Sequence, residues 1–235
     1  MDAVGELRRW HAAGGRFLKW LPNTMGIEPS DLSLTPFYAE MARLGVVLLS
    51  HAGSERAVGI GENPDLGNPL LLRPALAAAV RVVVLHCASQ GRCADLDDPA
   101  RPLRPAFDLF LRMMEDPRWE GRLFGEISGA TQVNRMGTAL AALLDRPALH
   151  ARLVNGSDYP LPAVNVLIWT RRLAWGGYVT RQERAALNEI YRHNPLLFDF
   201  VCKRVVRSPA AGNRFAPSVF EVPEALADAF GVVPE

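Results

Sequence analysis

Lysine is nearly absent from this chain of 235 residues: only Lys19 and Lys203 occur, and arginine supplies the remaining positive charge. Lys and Arg together number 26 against 25 Asp and Glu, a net charge of +1. So even a balance lacks the basic excess that displaces counterions from a polyanion, and nucleic acid is not an expected partner. Cysteine is sparse, with Cys87, Cys93 and Cys202 alone. An odd count without a C-x-x-C argues against a disulfide scaffold and suits reduced thiols in a cytoplasmic protein. No run of about 18 apolar residues exists, so no membrane-spanning helix and no membrane partner are expected. The N-terminal MDAVGELRRWHAAGG has no apolar core of a secretory signal. Nucleotide signatures are missing: no G-x-G-x-x-G follows a strand, and no G-x-x-x-x-G-K-[ST] occurs. The G-x-S-x-G elbow of serine α/β-hydrolases is missing as well.

What is present is an ordinary globular composition, 49% apolar and 22% charged, which excludes disorder as the main state. Short, nearly continuous apolar runs alternate with helical stretches. Strands are expected at 16–21, 46–50, 81–85, 122–128 and 151–155. Helices are expected at 36–44 (closed by Gly45), 69–79, 105–115 and 132–144. Unbroken apolar strands are those of a parallel sheet buried on both faces. Five βα units give either an open doubly wound sheet or part of a barrel. From 164 onward only helices are expected, at 164–174, 181–192 and 195–206, and the proline-bearing tail 208–235 is expected to lie over the surface. The whole chain, 1–235, reads as one domain.

The informative residues stand at the strand ends. The run 46–50 leads into His51, 81–85 into His86, and 151–155 into Gly156-Ser157-Asp158. In parallel α/β folds the carboxyl ends of the strands share one side, where loops build the site. Two histidines and an aspartate at one topological position are therefore expected to converge. Imidazole and carboxylate suit zinc or a similar divalent ion, whose bound water becomes a nucleophile near neutral pH.

The segments LLSHAGSE, VVVLHCAS, LVNGSDYPLP and NEIYRHNPLLF resemble the second half of the amidohydrolase superfamily of metal-dependent hydrolases. The branch is the amidohydrolase-related one, which includes the amino-carboxymuconate-semialdehyde decarboxylase type, and the resemblance runs from about residue 15 to 207. It implies an α/β, TIM-like (β/α)8 barrel, here incomplete and holding strands 4 to 8 with C-terminal helices. It implies a divalent metal, zinc first, held by His51 and Asp158. It implies His86 and Asp158 as catalytic groups and Lys19 as a substrate-binding or supporting group; by position, Asn23 after strand 16–21 and Arg56 in the loop after His51 are substrate-binding candidates, Arg56 being otherwise a solvated loop residue. The implied reaction is attack of a metal-bound water on an amide, ester or lactone of a small molecule. The alternatives are a decarboxylase of the same family, or a half-barrel that has lost catalysis and acts in interactions.

The family's H-x-H pair is missing from the five histidines His11, His51, His86, His150 and His193. Strands 1 to 3 have no room before Gly15, so the chain reads as a barrel that starts at its third helix, and five strands do not close one. Metal is accordingly expected to bind weakly or not at all to this chain alone. Exposed edges at 16–21 and 151–155 point to poor solubility or a homo-oligomer. Glu126 is expected either to face the mouth or to be a paired structural carboxylate. Arg92 and Met25 are weaker pocket candidates, Cys87 reads as buried and inert, and His11 and His150 as surface groups.

Overall fold

The computed structural model describes residues 2–54, 63–164 and 166–231. The chain divides into two compact units, Met1–Glu126 with Val222–Glu235, and Ile127–Glu221.

The first unit is built on a parallel sheet. Helix α1 (Ala3–Ala12) precedes β1 (Phe17–Trp20); the short α2 (Pro22–Met25) and α3 (Thr35–Leu44) lead to β2 (Val47–His51). Helix α4 (Arg73–Ala77) leads to β3 (Val82–Leu85), a small hairpin of β4 (Arg92–Ala94) and β5 (Leu103–Pro105) follows, and α5 (Ala106–Met114) leads to β6 (Leu123–Glu126). Strands β1, β2, β3 and β6 lie side by side in that order and are parallel. Their residues explain the burial: Val47, Leu48, Val82, Val84 and Leu123 are wholly sealed from solvent. Helix packing covers them with Tyr38, Met41, Leu76, Phe110, Met113 and Met114. The helix before β2 ends on Gly45 at φ 67°, the left-handed C-terminal residue expected there.

Three expected helices differ from the reading. The stretch 69–79 is a 3-10 turn at Pro69–Leu72 followed by a five-residue α-helix, because Pro69 and Pro74 remove backbone donors. The hairpin β4–β5 has no counterpart in the expected element list; its strands are three residues each and carry no alternation to read.

The second unit is mainly helical: α6 (Thr138–Leu144), β7 (Leu153–Val154), α7 (Thr170–Trp175), α8 (Arg181–His193) and α9 (Pro195–Val205). Two of these are shorter than expected. The helix expected from 132 begins only at Thr138, after Gly137, and the one expected from 164 begins only at Thr170. Helix α8 opens with a capping box, Thr180 and Glu183 exchanging side-chain and backbone bonds. Helix α9 opens with Asn194 as N-cap and Pro195 in the first turn. The tail is not confined to the surface, since Phe215, Val219 and Leu226 are buried. His150, expected on the surface, is 1% exposed: its Nε2 is 2.9 Å from the Leu143 carbonyl and its Nδ1 accepts the Ala216 N–H. Among the described residues, no helix is long and apolar enough to cross a membrane.

Candidate active site at the strand ends

His51 is the last residue of β2 and is paired in register with Leu85, the last of β3. His86 follows Leu85 directly. The parallel register therefore brings the two imidazoles together, with ring centroids 5.6 Å apart in an edge-to-face arrangement. Glu126 ends β6, the strand on the other side of β3. Its Oε2 accepts the backbone N–H of His86 at 3.1 Å and lies 3.6 Å from His86 Nδ1. The second distance is too long for a hydrogen bond and right for an ion pair once the ring is protonated. All three side chains are buried.

The backbone at His86 is unusual. His86, Cys87 and Ala88 stand at φ 54°, 50° and 49°, one left-handed turn closed by Ser89 N–H on the His86 carbonyl. Left-handed geometry costs an L-residue about 1–2 kcal/mol each, and strain of this kind is concentrated at functional sites. Cys87 is not a nucleophile in this arrangement: it is buried and its thiol donates to the Glu126 carbonyl at 3.4 Å.

The loops after the two histidines are tied together. Ser54 N–H donates to Gln90 O and Gly53 N–H to Gly67 O. Gly53 is at φ 84°, and a Cβ there would sit 2.2 Å from the Gln90 carbonyl oxygen. Only glycine permits that approach, so the glycine of HAGSE is structural in a way that sequence spacing alone does not reveal. At the neighbouring strand end, Trp20 Nε1 donates to Ser50 Oγ at 2.7 Å, fixing β1 against β2.

Asn23, expected to bind substrate, begins just past β1 at the same end of the sheet. It is 1% exposed, and among the described residues neither its Oδ1 nor its Nδ2 meets a hydrogen-bond partner. A buried carboxamide left without partners is costly, and it is the kind of group a bound carbonyl or an ordered water would satisfy. Lys19 is exposed on β1 and lines a separate cavity of about 480 Å³ with Trp20, Met25, Ile27 and Phe37. Arg56 lies outside the described residues. Asp158 belongs to the second unit, where it stands half-buried at φ 53° on the turn after β7.

Among the described residues no group of three or more His, Cys, Asp or Glu side chains is arranged to hold a metal ion. The donors at the strand ends, two imidazoles and a carboxylate committed to the His86 backbone, do not fit a closed metal shell by themselves. Sequence reading missed two features, one in each unit. One is the double attachment of Glu126 to His86. The other is the pair Asp199–Lys203, which holds the Gly156 carbonyl.

No family model matches this chain, and no curated protein matches it. Solved structures align with it, among them the following two. A provisionally assigned 2-pyrone-4,6-dicarboxylic acid hydrolase from Pseudomonas putida is 14% identical, with a TM-score of 0.48 over 99% of this chain and 69% of its own. A provisionally assigned metal-dependent hydrolase from Lactobacillus casei is 21% identical, with a TM-score of 0.32 over 54% of this chain and 28% of its own. At these scores the likeness carries no weight for function.

Proposed function

We propose that this chain is a hydrolase of the amidohydrolase type, adding water to an amide, ester or lactone bond of a small molecule at the carboxyl ends of β2, β3 and β6. The observation that carries the reading is the His51–His86 pair with Glu126 attached to His86. A hydrolysis needs a base to take a proton from water and an acid to return it to the leaving group. His86 is the base: Glu126 holds its backbone in the strained turn, and the same carboxylate stabilises the imidazolium formed when the proton arrives. His51, one ring away, is the second proton-handling group. The Asn23 carboxamide is suited to donate to the substrate carbonyl as negative charge develops on its oxygen. Asp158 is assigned an acid–base role in the reaction on the strength of the Gly-Ser-Asp-Tyr-Pro segment. The parallel strands β1, β2, β3 and β6 are read as part of a TIM-like barrel. A divalent ion belongs to the proposal only with donors beyond those gathered here.

The experiment is a screen of the purified chain against aryl esters, lactones and anilides, run with a chelator and with added zinc. Hydrolysis that falls by about 100-fold or more in His86→Ala, with folding intact, supports the reading. Loss of that activity in chelator assigns a metal to it. Activity that is indifferent to His86→Ala, or absent under every condition, overturns it.

A further inference from the structure

The second unit holds its own buried charges. Lys203 and Asp199 lie four residues apart on α9, and both are sealed, at 0% and 1% exposure. Lys203 Nζ is 2.6 Å from Asp199 Oδ2 and donates at 2.6 Å to the carbonyl oxygen of Gly156. Burying an ion pair costs about as much as the attraction returns, so a pair like this is weak evidence for stability in general. What it supplies is direction: the ammonium reaches across to one carbonyl, in the residue that opens the Gly156-Ser157-Asp158 turn.

Asp158 is held at φ 53°, a conformation that costs a residue with a side chain. Bonds within the turn include Tyr159 N–H to Ser157 Oγ at 3.3 Å and Leu161 N–H to the Asp158 carbonyl at 3.0 Å. A charged donor on the Gly156 carbonyl is a stronger tie than either. We infer that the buried Lys203–Asp199 pair is an anchor of the Asp158-bearing turn, which makes Lys203 a positioning residue for Asp158. The two segments involved, LVNGSDYPLP and the helix beginning NPLLF, are thereby joined through one ammonium group. The functional half of this inference rests on the acid–base role proposed for Asp158.

The test uses the full chain with two variants, Lys203→Met and the double Asp199→Leu/Lys203→Met, read by hydrogen–deuterium exchange, thermal melting and hydrolysis. The single variant strands the Asp199 charge and is expected to melt roughly 10 °C lower. The double variant removes both charges and is expected to melt within roughly 5 °C of wild type. Its exchange over residues 156–161 rises by about tenfold or more, and its kcat falls with KM little changed. The exchange measurement needs no activity, so it separates the two halves. Faster exchange with undiminished hydrolysis keeps the anchor and removes Asp158 from the reaction. Exchange over 156–161 as slow as in wild type overturns the anchor. Loss of protection throughout residues 127–221 overturns it too, because the pair would then support the unit at large.

Discussion

Glu126 grips His86 at two points: one carboxylate oxygen accepts the His86 backbone N–H at 3.1 Å and stands 3.6 Å from its Nδ1. The two contacts separate under mutation. Glu126→Gln retains an acceptor for the backbone N–H and removes the charge that steadies a protonated ring. We expect it to melt within a few degrees of wild type and to slow hydrolysis by about 10- to 100-fold. Glu126→Ala removes the acceptor as well, leaving a buried N–H without a partner, and is expected to cost about 1–3 kcal/mol in a denaturant titration. Equal stability of the two variants would show that the backbone bond does not matter.

The three thiols are expected to be silent in the native protein. Burial pushes Cys202 up to about 12 and Cys93 to about 11, and the Cys87 thiol is occupied with the Glu126 carbonyl. A thiol reagent at pH 8 should label none of them within minutes and all three in denaturant, because the thiolate is the reactive form. Rapid native labelling of Cys87 would contradict its reading as an inert thiol.

Ala79, just past α4, is exposed at φ 65°, with the Val80 N–H bonded back to the Ala75 carbonyl. This is a helix-ending geometry that favours glycine. Ala79→Gly is expected to stabilise the protein by about 1 kcal/mol, or a rise of about 2–4 °C in Tm. A lower Tm would contradict the backbone assignment there.

Asp95 is buried beneath Arg112, which bonds both its oxygens at 2.6 and 2.9 Å. That hydrogen bond, against the opposing effect of burial, holds the Asp95 carboxyl down at about 2. An unfolded Asp titrates at about 3.9. The folded value is the lower one, so the stabilisation is complete above about pH 4 and is lost as pH falls toward about 2. Denaturant titrations at pH 5 and pH 2.5 should show a smaller loss for Asp95→Asn than for wild type. The same loss in both would remove Asp95 from the acid sensitivity.

The strands were legible because VVVL and its counterparts are unbroken apolar runs, and the register that follows brings His51 against His86. The helices were less legible where proline or glycine interrupts a good apolar pattern, as at Pro74 and Gly137. The buried pair on α9 was not legible at all. Asp199 and Lys203 have the i, i+4 spacing of a solvated helix face, and the carbonyl that Lys203 reaches, that of Gly156, comes from more than 40 residues earlier. His150 was misread for the same reason: its partners, Leu143 and Ala216, flank it at distances that no local pattern reports. Glu126 was visible as a strand residue, but its attachment to a backbone N–H depends on the left-handed turn at His86, which nothing in the composition of LHCAS announces.

The most direct measurement is a double-mutant cycle on hydrolysis, using His51→Ala, His86→Ala and the pair. Residues that act as one unit lose activity together, so the second removal adds little once the first is made. The expected result is a large loss in each single variant and a double variant no more than about threefold below the worse of them. Two independent, multiplying losses, or no loss on removing either imidazole, would contradict a shared site at the ends of β2 and β3.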